Sequence, residues 1–308
     1  MRKAFVSALT ERAATDEKVF VITPDMGYSV LDDFAQRYPR RYLNCGVAEQ
    51  NSIGVAGGLA LTGMVPYVYS IIPFVTMRCF EQVRVHAAWM NLPIRIVGIG
   101  AGFTYGTQGA SHFALEDMAI MRALPNMTVC APGDPIEARG IIEESFERPG
   151  PMYIRLGKSG EPNVHAPGTE VRIGKAITVI DGKDMVLITT SNTLMLGFEM
   201  VTALRGKGVD AGLVSMHTIK PLDVEKVLSI ARKGIPIVTL EEHSIIGGLG
   251  SAVAEVLAES GSSIRFKRLG VPDEYPSIVG DQRFLRSKLG MDTIDDATLR
   301  WLMNNGQK

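Results

Sequence analysis

Asn44-Cys-Gly-Val-Ala-Glu-Gln-Asn51 runs directly into Ser52-Ile-Gly-Val-Ala-Gly-Gly-Leu-Ala60, and this stretch indicates how the chain folds. Its second half is apolar and rich in glycine, which is typical of a helix buried between other elements. Glu49 stands where the apolar run begins, so we place it at the junction between a strand and a buried helix. Short apolar strands that alternate with such helices indicate an α/β fold.

Glu49 has two interpretations. No basic residue lies within several positions of it, and burial disfavours the charged form of a carboxyl group. A carboxyl group in that setting can hold or share a proton near neutral pH, as acid–base chemistry requires. Alternatively, Glu49 is an ordinary first-turn residue that the helix macrodipole favours.

The composition excludes several classes of protein. The 308 residues are 46% hydrophobic, include 32 glycines and carry a formal net charge of −1, which offers no uniform field to nucleic acid or an anionic membrane. Cys45, Cys79 and Cys130 lack the paired spacing of a metal site and fit reduced thiols. No apolar stretch reaches the ~18 residues of a membrane span, and the start has no signal-peptide cleavage site. We therefore expect a cytoplasmic protein with no nucleic-acid or membrane partner.

Strand-like and helix-like segments alternate along the whole chain. In the first half, apolar runs predict strands at 19–22, 65–71, 94–99, 127–131 and 152–156. Helical periodicity predicts helices at 3–14, 47–62, 75–90, 115–123 and 135–147. Strands are expected again near 174–180, 185–190, 210–215, 236–240 and 264–269, with helices between them. This alternation indicates mainly parallel sheets with helices on both faces.

A polar segment that contains proline and glycine, residues 160–168, divides the chain. We predict two doubly wound α/β domains with mainly parallel sheets, at residues 1–162 and 173–308. The linker between them is expected at residues 163–172.

A second candidate region follows the predicted strand at 94–99. Thr107-Gln-Gly-Ala-Ser-His-Phe-Ala-Leu-Glu116 lies beyond its carboxyl end, where open α/β sheets bind their ligands. Histidine titrates near neutral pH, so His112 can donate a proton or polarise a substrate oxygen. Alternatively, Ser111 caps a helix at 112–123, and His112 is an exposed residue of its first turn.

Five short motifs occur in a fixed order. They are Gly46-Val-Ala-Glu-Gln50, Gly109-Ala-Ser-His112 with Glu116, Leu124-Pro-Asn-Met127 with Ala131-Pro-Gly-Asp134, Lys220-Pro-Leu-Asp223, and Leu240-Glu-Glu-His-Ser-Ile-Ile-Gly-Gly-Leu-Gly-Ser-Ala252. Together they cover nearly the whole chain and resemble the C-terminal half of transketolase and the matching parts of other thiamine diphosphate enzymes. The resemblance implies a pyrimidine-binding domain followed by a transketolase C-terminal domain.

The resemblance implies a role for Glu49. In the family, this carboxyl group bonds to N1′ of the cofactor's aminopyrimidine and favours the imino form of its 4′-amino group, which removes the proton from C2 of the thiazolium. The cofactor then serves as the electron sink for attack on a ketose or 2-oxoacid carbonyl. His112 is expected as the second catalytic residue.

Other cofactor contacts follow from the same resemblance. We expect the side chain of Phe74 beneath the aminopyrimidine ring, with Ile72 and Val75 as alternatives in register. Asp25 and Val47 are expected beside the cofactor. Alternatively, Phe74 is a plain core residue.

The resemblance implies substrate contacts from Arg2, Ser29, Gln108, His112, Arg155 and Lys158. Arg2 and Ser29 align with positions that hold the acceptor's phosphate. Lys158 replaces an arginine and so loses the bidentate fork of a guanidinium group. Alternatively, Arg2 and Lys158 are solvated surface charges.

Two substrate positions depart from the family pattern. Gly100 replaces a histidine, and Gln108 replaces an acidic residue. These side chains read phosphate and sugar hydroxyls in transketolase, so their absence puts the standard pentose phosphates in doubt. The donor and acceptor sugars stay open, while cofactor activation is untouched.

The family's diphosphate-binding motif is missing. It holds Mg²⁺ through Gly-Asp-Gly and a later asparagine, whereas Gly280-Asp-Gln282 with Asn304-Asn305 lacks the second glycine and a suitable strand. We interpret that match as coincidental and expect no metal ligand in this chain. A second polypeptide, the N-terminal subunit of a split transketolase, should bind Mg²⁺ and the diphosphate in an α₂β₂ heterotetramer. The implied activity is transfer of a two-carbon ketol unit from a ketose to an aldose, which requires both subunits.

Three alternatives stay open. The chain could be the β subunit of the first component of a 2-oxoacid dehydrogenase, or part of an enzyme similar to deoxyxylulose phosphate synthase. It could also be a non-catalytic subunit that kept the fold. The Gly-Ala-Ser-His and Glu-Glu-His-Ser motifs are closer to transketolase and deoxyxylulose phosphate synthase, and the presence of Glu49 and His112 argues against lost chemistry.

Overall fold

The computed structural model describes residues 1–303 and contains two α/β units in succession. Its strands are β1 (Val19–Thr23), β2 (Tyr42–Asn44), β3 (Val65–Ile71), β4 (Arg95–Ile99), β5 (Thr128–Cys130), β6 (Met152–Leu156), β7 (Ile177–Ile180), β8 (Met185–Thr189), β9 (Ala211–Ser215), β10 (Thr218–Lys220), β11 (Ile237–Ser244) and β12 (Phe266–Val271). Its helices are α1 (Arg2–Ala13), α2 (Asp32–Arg37), α3 (Glu49–Leu61), α4 (Ile72–Val75), α5 (Phe80–Gln82), α6 (Asp117–Ala123), α7 (Pro135–Ser145), α8 (Leu194–Gly206), α9 (Val224–Arg232), α10 (Leu249–Glu259), α11 (Gln282–Lys288) and α12 (Asp296–Met303). None of these helices has the length and apolar character that a membrane span requires.

The first sheet has seven strands in the order β10-β5-β6-β4-β3-β1-β2. Its strands pair in parallel except for β10, which joins the edge antiparallel to β5. The second sheet has five strands in the order β12-β11-β8-β9-β7, and β7 alone among them is antiparallel. The predicted fold class, two doubly wound units with mainly parallel sheets, is confirmed.

The two units exchange structure at the edge of the first sheet. β10 lies in the second half of the chain, yet its residues Thr218 and Lys220 pair with β5. The predicted division at residues 163–172 does not include this crossing. Three residues carry too little periodicity to predict a strand, so its place depends on the packing of the second unit against β5.

Buried apolar side chains join the two units. β4, β6, β8 and β9 are buried at every position, as expected for parallel strands that helices cover on both faces. One hydrophobic cluster passes from the first unit, with Met118 and Met121, into the second, with Met216, Ile219 and Val253. Each fully buried side chain of this kind contributes roughly 1.5–3 kcal/mol, so the cluster stabilises their association.

The prediction of one continuous helix at 75–90 is wrong. Pro73 lies in the first turn of α4, and the Cys79 thiol donates a hydrogen bond to the Phe74 carbonyl at 3.0 Å. Helical pairing resumes at α5 and then widens into a π-helical segment, Val83–Trp89. Apolar periodicity does not reveal a carbonyl that a side chain has captured. The interruption brings Phe74 and Arg78 next to α3.

Buried polar groups fasten the linker to the first unit. Asp134 caps α7 with one carboxylate oxygen, and its other oxygen accepts the N–H groups of Val164 and His165. Glu137 bonds to the His165 ring at 2.8 Å and accepts the Gly133 N–H at 2.6 Å. The histidine and carboxylate atoms lie within 4.8 Å of one another, but the protein's own donors already use the carboxylate oxygens. This cluster therefore orders the start of the linker.

Candidate active site

Most of the predicted site residues gather at one edge of the first sheet. They follow the carboxyl ends of parallel strands, where open α/β sheets bind ligands. β1 is followed by Asp25 and Ser29, β2 by Val47 and Glu49, β3 by Phe74, β4 by Gln108 and His112, and β6 by Lys158. The strand order reverses between β1 and β3, so the loops after these strands diverge and leave a crevice.

Glu49 begins α3 and is buried, with only 4% of its surface exposed. Its carboxylate accepts a hydrogen bond from Arg78 Nη1 at 2.8 Å. The inferred absence of a positive charge around Glu49 is therefore wrong. Arg78 is distant in the sequence, and the interrupted helix after β3 brings it back against α3. A nearby guanidinium group favours the charged form of a carboxyl group, in opposition to burial.

Phe74 lies beside this ion pair. The Arg78 guanidinium stacks over the Phe74 ring at 4.2 Å from its centroid. The ring of His112 meets Phe74 edge-on, with centroids 5.2 Å apart. Ile72 and Val75 are fully buried, whereas Phe74 is partly exposed. Of the three residues in register, Phe74 is thus the one with an accessible ring face.

Asn44 connects the loop after β1 with the turn that leads to Glu49. Its side-chain oxygen accepts the N–H groups of Asp25 at 3.0 Å and Gly46 at 2.9 Å, and its amide donates to Asp25 Oδ1 at 3.2 Å. Val47, two residues before Glu49, is 76% exposed. The turn therefore holds Asp25 beside the crevice and leaves an apolar side chain in the open.

The segment Gly100–His112, here called the substrate loop, carries Gln108 and His112. Gly100 has φ +94°, and a Cβ atom there would lie 2.3 Å from the Tyr105 ring. The Tyr105 ring thus fills the space that a side chain at position 100 would need, and it also faces His112 at 6.1 Å. Burial lowers the pKa of His112. Gln108 is exposed.

The alternative in which Ser111 caps a helix from 112 is wrong. Residues Ala110–His112 form a single 3₁₀ turn, and α6 begins only at Asp117. Ser111 Oγ instead lies 3.0 Å from Nδ1 of His112. This contact leaves His112 on the substrate loop, with its ring edge toward Phe74.

Two cationic side chains surround Tyr105. The Lys158 ammonium group lies 5.1 Å from the centre of its ring. Burial raises the pKa of Tyr105, and the positive charge of Arg2 partly opposes that rise. Arg2 also lines, with Ser29, a cavity of about 930 Å³. The predicted substrate residues Arg2, Ser29 and Lys158 thus lie at the open side of the site.

Family models match both units of the chain. The transketolase pyrimidine binding domain matches residues 1–162, and the transketolase C-terminal domain matches residues 174–289. The chain belongs to the transketolase family. The family that the sequence motifs predict is confirmed.

Relatives within the transketolase family match nearly the full length of the chain. One of the two subunits of the apulose-4-phosphate transketolase of Phocaeicola vulgatus is 36% identical over 293 residues, which are 94% of this chain and 93% of that protein. The 6-deoxy-6-sulfo-D-fructose transketolase subunit SqwH of a Clostridium species is 35% identical and covers 94% and 90%. A solved structure, a split gene transketolase described as an inactive beta4 tetramer, aligns with a TM-score of 0.85 at 37% identity, covering 94% and 93%. The prediction of a transketolase subunit, a transferase, is confirmed.

Arg155 does not belong to the open site of this transketolase subunit. It is fully buried, and its guanidinium donates to Asp117 at 2.8 Å, to Ser191 Oγ at 2.9 Å and to the carbonyls of Ala114 and Glu242 at 2.8 and 3.0 Å. The prediction that it binds substrate is wrong, because these partners use its donors and enclose it between the two units. Motif position alone does not separate a buried arginine from one that faces a ligand.

Sequence reasoning does not identify Asn44, Arg78 or Tyr105 as parts of the transketolase site. Asn44 opens the first motif, so an amide at a strand end was an available signal. Arg78 leaves no local signal, because its pairing with Glu49 spans 29 positions. Gly100 is the signal for Tyr105, because a glycine in place of the family's histidine leaves room for another ring.

The nearest match to the family's metal motif has another role in this structure. Asp281 caps α11, because its carboxylate accepts the Phe284 N–H at 2.8 Å. Asn304 and Asn305 lie outside the described residues.

Proposed function

We propose that this chain supplies the pyrimidine half of a thiamine diphosphate site and works as a transketolase together with a diphosphate-binding subunit. The observation that carries the proposal is a buried carboxyl group, Glu49, beside the partly exposed ring of Phe74 at the carboxyl edge of a parallel sheet. An acid for a ring nitrogen and an aromatic face for stacking are the groups that an aminopyrimidine requires, so the residues fit the cofactor. When bound, thiamine diphosphate supplies the electron sink for ketol transfer.

Each residue then has a defined task. Glu49 holds a proton at N1′ of the aminopyrimidine, and Phe74 supports the ring. Arg78 occupies one oxygen of Glu49 and one face of Phe74. A bound aminopyrimidine therefore uses the remaining oxygen and face or displaces the guanidinium group. Asp25 and Val47 lie in loops on the same edge and complete the proposed cofactor surface.

The open side of the site suits a sugar that carries an anionic group. Arg2 and Lys158 provide positive charge near Tyr105, while Ser29, Gln108 and His112 can bond to hydroxyl groups. The relatives named for apulose 4-phosphate and 6-deoxy-6-sulfo-D-fructose are named for phosphorylated or sulfonated sugars. We infer that a ketose of this kind donates the two-carbon unit and that an aldose accepts it.

The partner is proposed to bind Mg²⁺ and the diphosphate group in an α₂β₂ heterotetramer. Three large apolar side chains near α3 and the site loops are exposed: Tyr28 by 91%, Val47 by 76% and Trp89 by 79%. Exposed apolar surface of this kind marks protein contacts. The three cysteines are unpaired, which supports a cytoplasmic location.

Reconstitution tests the proposed function. The chain alone should transfer no ketol unit, whereas addition of the diphosphate-binding subunit, Mg²⁺ and thiamine diphosphate should produce transfer from a phosphorylated or sulfonated ketose to an aldose. The measurement is product formation by chromatography across a panel of such sugars, with the partner alone as control. Transfer by the isolated chain would contradict the proposal, and so would cofactor binding by the complex without turnover of any sugar.

The pH dependence of that activity should report on His112. Because burial lowers its pKa below the ordinary value of 6.5, the imidazole stays neutral as the pH falls to 6.5 and becomes charged only below it. We expect the acid limb of kcat/KM to lie below pH 6.5. His112→Asn should lower kcat/KM by about 100-fold or more and remove that limb. A limb that persists in the variant would show that another group titrates.

A further inference from the structure

The substrate loop is attached to the second unit by a single carboxylate. Glu242 lies in β11, in the motif Leu240-Glu-Glu-His-Ser244, and is fully buried. Its Oε1 atom accepts a hydrogen bond from the backbone N–H of Phe103 at 2.6 Å. The two residues are 139 positions apart in the chain, so this bond joins the C-terminal unit directly to the loop that carries His112.

The other partners of Glu242 hold the carboxylate in place. Oε1 also accepts the side-chain amides of Asn192 at 3.0 Å and Gln282 at 2.7 Å, and Oε2 pairs with Arg286. The donors come from the start of α8 and from α11. Hydrogen bonds to a charged group are the stronger class, so Glu242 forms a rigid anchor with its charge compensated.

The backbone relays this anchor to His112. The Phe103 carbonyl accepts the Gly106 N–H at 2.8 Å, the Gly106 carbonyl accepts the Gly109 N–H at 3.4 Å, and the Gly109 carbonyl accepts the His112 N–H at 3.0 Å. Each bond spans three residues, so successive turns refer the position of His112 back to Phe103. The Gly280 N–H, also in the second unit, supports the middle of this series at 3.4 Å from the Gly106 carbonyl.

Gly102 permits the close approach of the carboxylate. Its φ is +58°, and a Cβ atom at this position would lie 2.2 Å from Glu242 Oε1. Any larger residue would push the loop away from β11. At the far end of the loop, Arg155 bonds to the carbonyls of both Ala114 and Glu242. The loop is thus tied to β11 just after its start and just after its end.

We propose that Glu242 is a positioning residue for the substrate loop, and that the C-terminal unit thereby sets the place of His112 and Gln108 in the transketolase site. The role of His112 rests on the function proposed above. The anchoring of the loop does not depend on it.

The neighbouring residue Glu241 provides a matched control. Adjacent residues of a strand point to opposite faces, and Glu241 is equally buried but accepts the N–H groups of Leu249 and Gly250, both at 2.7 Å, at the start of α10. Glu242→Gln and Glu241→Gln therefore remove one buried charge each from the same strand. Only the first change touches the substrate loop.

Hydrogen exchange of the full chain tests the anchor. In Glu242→Gln, a peptide spanning residues 100–113 should exchange about tenfold faster or more, the effect of a lost bond to a charged group. The Glu241→Gln variant should leave that peptide unchanged and speed exchange near residues 249–250. Core amides of β3 serve as the internal reference, because general destabilisation would speed them by the same factor. An unchanged loop peptide, or one that speeds up no more than β3, would overturn the proposal.

The reconstituted enzyme provides the second measurement. Glu242→Gln should lower kcat/KM for the sugar by about tenfold or more and leave the affinity for thiamine diphosphate unchanged, because Glu49 and Phe74 lie outside the loop. Wild-type kcat and KM in this variant, or an equal loss in Glu241→Gln, would overturn the proposal. If the wild-type complex transfers no ketol unit, the proposed function fails, and the exchange measurement still decides whether Glu242 anchors the loop.

Discussion

Replacing Glu49 with glutamine should reduce ketol transfer by the reconstituted enzyme by about 100- to 10,000-fold, the range expected when an acid–base group is lost. Glutamine keeps the shape of the side chain and an oxygen that accepts from Arg78, which lies 2.8 Å from the carboxylate. It cannot hand a proton to a ring nitrogen. The loss should therefore fall on the rate, and the chain should remain folded.

The measurement compares kcat and the melting temperature of the variant and the wild type. Glu81→Gln is a suitable control, because Glu81 is exposed and bonds only to Gln82 among the described residues. Both variants remove one negative charge from the same surface, so a field effect would appear in both. A Glu49→Gln enzyme that works at the full rate would refute the assignment of Glu49 as the activating acid.

Asp117→Asn should produce the largest loss of stability, about 3–5 kcal/mol in the free energy of unfolding. Asp117 and Arg155 are both fully buried, with Arg155 Nε 2.8 Å from the carboxylate, and the Tyr153 hydroxyl donates to the same group at 2.6 Å. An asparagine would turn its amide toward either Arg155 or Tyr153. The guanidinium charge would then stay buried without its counterion.

Urea denaturation of the full chain checks this expectation. The comparison is with Glu170→Gln, which breaks the Arg172–Glu170 pair, whose side chains are 69% and 73% exposed. Water solvates both partners of that pair, so no measurable shift in the midpoint is expected. A shift in Asp117→Asn no larger than that of the control would show that Arg155 finds another counterion or reaches water. Because Arg155 also bonds to Ser191 and Glu242, we expect the two units to unfold in separate transitions in this variant.

Local pattern was sufficient for most of the fold. The strand at 65–71 is β3 as predicted, and the glycine-rich run at 47–62 contains α3. Both patterns are long enough for apolar spacing to report burial. The segments that it does not reveal are short or interrupted: β2 and β10 have three residues each, and side-chain hydrogen bonding breaks the helix after Phe74.

The candidate site divides along the same line. Motifs placed Glu49, Phe74 and His112 at strand ends, and the structure brings these ends together because parallel strands share one edge. Motifs also assigned Arg155 to the substrate. Whether a cation faces a ligand or a buried carboxylate depends on what the second unit packs against it, and nothing near Arg155 in the sequence carries that information.

From the sequence by itself come the alternation of strands and helices, the family and the chemical groups at the carboxyl edge, because residue type and local spacing encode them. Only the tertiary structure decides that Arg78 pairs with Glu49, that Tyr105 fills the space at Gly100, and that Glu242 holds Phe103. The pairs formed by Arg78 and Glu242 join segments 29 and 139 positions apart. Their geometry exists only after the crossovers close and the two units pack, since a contact across such distances is a property of the assembled layers rather than of any one segment.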